Sequence, residues 1–124
     1  MHRSRLAGFI IDCKGDRTDA AARFWSDALG MKMVPAQDDK YVELDAKARD
    51  LRIEVQRVAH ESRVHVDIES EDVEAEVARL VGLGAREIER VHTWVVLEAP
   101  TGQRFCVVRA RRSLEGEPGA TPWP

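Results

Sequence analysis

Three short segments of this chain set polar, chemistry-bearing side chains between apolar ones. Glu54 and Gln56 alternate with Ile53 and Val55, His65 and Asp67 with Val64, Val66 and Ile68, and Arg104 and Cys106 with Phe105 and Val107. Alternation at a period of two is the mark of a strand with one face buried. The polar members therefore share one face of a sheet, together with Arg52 near a strand start. Polar groups in the middle of a sheet need solvent or partners. A water-accessible hollow on that face meets the need. An imidazole, a carboxylate, a carboxamide and a thiol in one hollow can bind a polar small molecule by hydrogen bonds. Tyr41 and Trp94 are candidate aromatic walls for such a molecule.

The elements that position these residues occur twice. Tyr41–Ala46 reads against Trp94–Ala99, Arg52–Arg57 against Arg104–Arg109, and Ala28-Leu29-Gly30 against Gly82-Leu83-Gly84, at offsets of 52 to 54 residues. Three matches in one order point to a duplicated unit, and two copies facing each other make a cleft between them. Each copy reads strand, helix, strand, strand, strand. In the first, Leu6 to Cys13 is an apolar strand and Lys14-Gly15-Asp16 a turn. Thr18 or Asp16 caps a helix from about Asp19 to Leu29, and Gly30 closes it. Ala21, Phe24, Trp25, Ala28 and Leu29 form the buried face of that helix, with Phe24 and Trp25 in the core. Strands at Met31–Val34, Tyr41–Asp45 and Leu51–Val58 follow, with Pro35–Lys40 as a polar turn. In the second copy, Ser70 caps a helix over Asp72–Leu83 that buries Val73, Val77, Leu80 and Val81. Its strands are Arg63–Glu69, Ala85–Val91, Thr93–Glu98 and Gln103–Arg109, with Pro100-Thr101-Gly102 turning between the last two. Ser113–Pro124 is rich in Gly and Pro and reads as a tail that cannot build core; its Pro122-Trp123-Pro124 end is disordered or docks on a partner subunit.

Bulk properties exclude several classes. With 124 residues, 44% hydrophobic and 33% charged, the chain has the size and balance of one globular domain, residues 1–112, plus the tail. A net charge of −3 and the lack of a basic run in the first hundred residues argue against nucleic acid. No apolar run approaches the roughly 18 residues a membrane helix needs. The basic start Met1–Arg5 is followed by an apolar stretch that Asp12, Lys14 and Asp16 interrupt too soon for a signal peptide. Two cysteines, Cys13 and Cys106, point to a reduced, cytoplasmic setting. Cys13 shares its side of the strand with Phe9 and Ile11 and reads as buried and inert. His60 and His92 fall near loops and read as surface residues.

The tandem strand–helix–strand–strand–strand pattern, with a Leu-Gly at each helix end, resembles the vicinal oxygen chelate superfamily (glyoxalase, bleomycin resistance protein, dioxygenase). Arg63–Ile68, the acidic helix Glu71–Glu76, the run Gly82–Arg86 and the segment Glu98–Cys106 are similar to its glyoxalase-like subgroup, over roughly residues 6–110. The resemblance implies an α+β fold of two βαβββ units, about 6–58 and 63–110. Together they would form a curved, partly open mixed β-barrel with the helices outside. Metal-dependent members carry ligands on the first and last strand of each unit. Those positions fall here on Gly8, Glu54, His65 and Cys106. Glycine has no ligating group, and a cysteine stands where a glutamate is usual. In one reading His65, Glu54 and Cys106 hold a zinc-like ion with water as fourth ligand. In the other, Cys106 is an apolar filler and His65 and Glu54 form a pair. The two substitutions weigh toward a site that has lost its ion and bears no cofactor. The expected function is then a glyoxalase-like small-molecule binder that sequesters a drug or metabolite through Tyr41, Glu54, Gln56, His65, Trp94 and Cys106. Glu43, Glu54, Asp67 and Glu98 would suit a cationic ligand. The alternative is a lyase, isomerase or dioxygenase using one zinc, nickel or iron ion. A homodimer is expected because a sheet edge needs cover.

Overall fold

The computed structural model describes residues 1–35 and 38–124. Among these residues the chain forms eight strands and two α-helices, an α+β fold. In order they are β1 (His2–Lys14), α1 (Thr18–Leu29), β2 (Tyr41–Leu44), β3 (Arg52–Val58), β4 (Arg63–Ser70), α2 (Val73–Gly82), β5 (Arg86–Val91), β6 (Trp94–Glu98), β7 (Arg104–Arg109) and β8 (Thr121–Trp123). The chain divides into two compact units: Gly8–His65, and Met1–Ala7 with Val66–Pro124. Both β1 and β4 run across that division.

In the Gly8–His65 unit the strand order is β2-β3-β1, with β3 parallel to β1 and antiparallel to β2. One face of these strands carries Ile11, Leu44, Ile53 and Val55, which pack with Ala22 of α1 into a core. The register puts Tyr41, Gln56 and Asp12 in one row across the three strands, and Glu43, Glu54 and Ile10 in the next. These rows lie on the face turned from α1. The alternation read from β3 therefore holds.

Gly8 stands opposite Arg52, and a Cβ built on it would lie 1.8 Å from the Arg52 carbonyl oxygen. No side chain fits there, so the strands approach this closely only because residue 8 is glycine.

Two expectations for this unit are corrected. Met31–Val34 is no strand: it contributes an isolated bridge between Met33 and Leu44. Two backbone hydrogen bonds flank that bridge, from Val34 N–H to the Glu43 carbonyl and from Asp45 N–H to the Lys32 carbonyl, both at 2.8 Å. The α1 face is also narrower than its periodicity suggests. Only Thr18 and Ala22 are buried, Ala21 and Trp25 pack partly, and Phe24 and Leu29 are exposed. Phe24 lies across the edge of Trp25 at 5.1 Å and covers it from outside. No side chain caps this helix; its N-cap is Arg17. The sequence-predicted turn at Pro35–Lys40 falls partly on residues 36–37, outside the described residues; Asp39 and Lys40 do form a turn.

The second unit holds β4-β7-β6-β5, with β4 parallel to β7 and the other pairs antiparallel. Val95, Leu97 and Val107 meet Val77 and Leu80 of α2 in its core. The helix is capped by Asp72, whose carboxylate accepts from the Ala75 N–H at 3.0 Å. Ser70, the sequence-predicted cap, instead closes a local turn with the Asp72 backbone. Val81 is exposed, and the residue that completes the buried face of α2 is an acid, Glu76, at 0% exposure.

The C-terminal residues differ most from expectation. Leu114 is buried, and Thr121–Trp123 pairs antiparallel with His2–Ser4 as β8. The Trp123 indole N–H donates to Ser4 Oγ at 2.8 Å, and the Arg79 guanidinium lies 3.8 Å from its ring centroid. Glu71 accepts from the Leu114 N–H at 2.8 Å and from Ser113 Oγ at 3.2 Å. Composition misled here because a Gly/Pro-rich stretch needs only a few anchors when an edge strand is waiting for it. Trp123→Ala removes one hydrogen bond and one desolvated cation–π contact, so it is expected to cost about 2 kcal/mol in urea denaturation. A disordered tail would show no change.

Candidate functional site

The functional residues read from the sequence lie mainly on β3, β4 and β7. Asp67 of β4 stands opposite Cys106 of β7 in the parallel register. Both are buried, Asp67 at 6% exposure. His65 and Asp67 are alternate residues of β4, so their side chains leave the strand on one face. The ligand atoms of His65 and of Cys106 each lie within 4.8 Å of the Asp67 carboxylate. The alternation in the sequence already sets Asp67 on the polar face with His65 and Cys106, but names only the latter two as candidate ligands.

A second missed residue is Asp12 of β1. Its Oδ2 pairs with His65 Nδ1 at 2.7 Å, and Arg63 Nε lies 3.8 Å away. Asp12 is 2% exposed, and its Oδ1 finds no hydrogen-bond partner among the described residues. The sequence offered only a charge interrupting an apolar strand.

The other candidates fall as follows. Glu54 lies on the polar face of β3, with its carboxylate 3.6 Å from Arg52 Nε. Gln56 sits between Tyr41 and Asp12 in the register. Tyr41 is half-buried, with Lys40 Nζ 5.7 Å from its ring centroid. Trp94 is half-buried and lies 5.7 Å from the His92 ring. His60 and His92 are exposed, as read. Cys13 packs partly against the first core, and burial pushes its thiol pKa up, which keeps it unreactive. Glu98 accepts from Arg86 and Arg104, both at 3.0 Å, and these bonds lower its pKa. With Glu98 and Glu54 both beside arginines, much of the electrostatic case for a cationic ligand is gone.

Of the four ligand positions the resemblance implies, Gly8 is closed to any side chain by the Arg52 carbonyl. Among the described residues the group able to hold an ion is His65, Asp67 and Cys106. Imidazole, carboxylate and thiolate are ligands of a borderline ion such as zinc. Three protein ligands leave a coordination position open, as catalytic zinc sites do. The donor set therefore fits a divalent metal; Glu54, which the resemblance also implies as a ligand, is not in this group.

A glyoxalase-like domain model matches residues 8–108. The chain belongs to the glyoxalase-like domain family, and with it to the vicinal oxygen chelate superfamily. No curated protein matches the sequence. Among solved structures, a hypothetical protein of Bacillus halodurans C-125 is similar at 13% identity, TM-score 0.68, over 89% of this chain and 96% of its own. Methylmalonyl-CoA epimerase from Mycobacterium tuberculosis is similar at 16% identity, TM-score 0.64, over 87% and 89%. A Mn(II)-bound glyoxalase from Novosphingobium aromaticivorans is similar at 19% identity, TM-score 0.58, over 86% of this chain and 40% of that one. These likenesses establish the fold.

Proposed function

We propose that this chain is a metal-assisted glyoxalase-like protein that binds a small molecule bearing two neighbouring oxygens. His65, Asp67 and Cys106 hold one zinc-like ion. Bound there, the ion supplies Lewis acidity toward the ligand's oxygens. The observation that carries this reading is the buried Asp67 carboxylate, placed opposite Cys106 and two residues from His65 on one strand. The similarity to a Mn(II)-bound glyoxalase and to methylmalonyl-CoA epimerase supports ligand chemistry on this fold.

Gln56 and Tyr41 are half-buried in one row of the polar face of the Gly8–His65 unit, and Glu54 lies on the same face. A homodimer in the cytoplasm completes the proposal. Among the described residues no helix is long and apolar enough to cross a membrane. One observation favours a metal-free binder instead. The ligand position at residue 8 is sterically shut by the Arg52 carbonyl.

Titration of the metal-free chain with zinc separates the two. One zinc per chain is expected, with affinity reduced at least about 100-fold in His65→Ala and in Asp67→Ala. Zinc binding that survives both substitutions, or none in the wild type, would contradict the metal reading.

A further inference from the structure

The His65 ring has a partner that the metal reading does not require. Asp12, from a different strand of the Gly8–His65 unit, meets Nδ1 at 2.7 Å. A carboxylate accepts but does not donate, so this bond places the ring proton on Nδ1. Any metal or substrate proton that the ring takes up then goes through Nε2. The carboxylate is 2% exposed, and Oδ1 has no hydrogen-bond partner among the described residues. Arg63 Nε, at 3.8 Å from Oδ2, offsets part of the charge without making a short bond. Burying a carboxylate this incompletely satisfied is unfavourable for the fold alone. The arrangement is that of a carboxylate holding an imidazole in one tautomer for work at its other nitrogen.

We propose that Asp12 is a positioning residue: it fixes the Nδ1–H tautomer and the ring orientation of His65, so that Nε2 serves as the ligand. This inference rests on the proposed metal site, which sets what Nε2 does. The role of Asp12 toward Nδ1 is measurable without any ion.

Two measurements test it. In the wild-type, metal-free chain, long-range nitrogen–proton NMR correlations of the neutral His65 ring are expected to show the proton on Nδ1. In Asp12→Asn the side-chain amide can donate to Nδ1, so the Nε2–H tautomer is expected to rise. Zinc affinity is then expected to fall 10- to 100-fold, with the circular dichroism spectrum unchanged. A wild-type ring protonated on Nε2 would overturn the inference. So would an Asp12→Asn chain that keeps both tautomer and zinc affinity. Should Asp12→Asn fail to fold, the wild-type tautomer decides. A wild-type chain that takes up no zinc while its His65 is Nδ1–H would contradict the metal reading and sustain the role of Asp12.

Discussion

Gly8→Ala is expected to destabilise the chain by about 3 kcal/mol or more, among the largest effects of any single methyl group in this protein. The added Cβ would sit 1.8 Å from the Arg52 carbonyl oxygen and 2.7 Å from its carbon, both of them backbone. Backbone cannot swing aside as a lysine tip can. The parallel β1–β3 pairing must open or shift, and Ile11, Ile53 and Val55 of the core lie on those same strands. Gly8→His, which would return a ligating side chain to this position, is expected to fail in the same way and to gain no metal affinity. Urea denaturation checks both. A Gly8→Ala protein within about 0.5 kcal/mol of wild type would show that the strands are not in close contact there.

Glu76→Ala is expected to cost about 3–5 kcal/mol. The Glu76 carboxylate is fully buried and accepts from His2 Nε2 at 2.8 Å, Ser4 Oγ at 2.8 Å, and Arg79 at 2.9 and 2.8 Å. Its removal leaves the Arg79 guanidinium without its bidentate acceptor under the Trp123 ring. Burial alone would raise the pKa of this carboxyl. Hydrogen bonds from Arg79, His2 and Ser4 outweigh burial and bring it to about 2. A carboxyl whose pKa is lowered by folding stabilises the native state in its ionised form. That stability is complete above its unfolded pKa, near 4.5, and is lost as pH falls toward about 2. The wild type should therefore lose stability steeply between these limits. Glu76→Ala should show a flatter acid limb. Equal slopes for the two proteins in urea melts across this range would contradict the account.

The sequence made the framework legible because the framework rests on periodicity. The alternation in β3 and β4, the glycine at the end of α1 and the Pro-Thr-Gly turn before β7 are local signals, and each holds. What was not legible depends on partners distant in the chain. Phe24 matches the helical spacing of the α1 face, yet lies outside, while Ala22, with Ala21 and Trp25 partly, makes the contact with the sheet. His2 and Ser4 read as a basic start and are in fact strand residues, since Glu76 and Trp123 wait for them seventy and more positions away.

The candidate site divides along the same line. His65 and Cys106 were visible through the repeat. Gly8 reads as a ligand lost, and the neighbouring strand also blocks its Cβ direction. Asp67 was visible on the polar face beside His65 but not as a ligand candidate, because that depends on its register opposite Cys106. Asp12 was the hardest: nothing local distinguishes a charge that ends an apolar strand from one that holds an imidazole.

Cobalt(II) added to the metal-free chain tests the central claim most directly, because thiolate ligation has its own absorption. The account predicts one cobalt per chain, a tetrahedral-type visible spectrum and a thiolate-to-cobalt charge-transfer band that disappears in Cys106→Ser. A wild-type chain that shows no such band, or one that keeps it in Cys106→Ser, would contradict the assignment of His65, Asp67 and Cys106 as a metal centre.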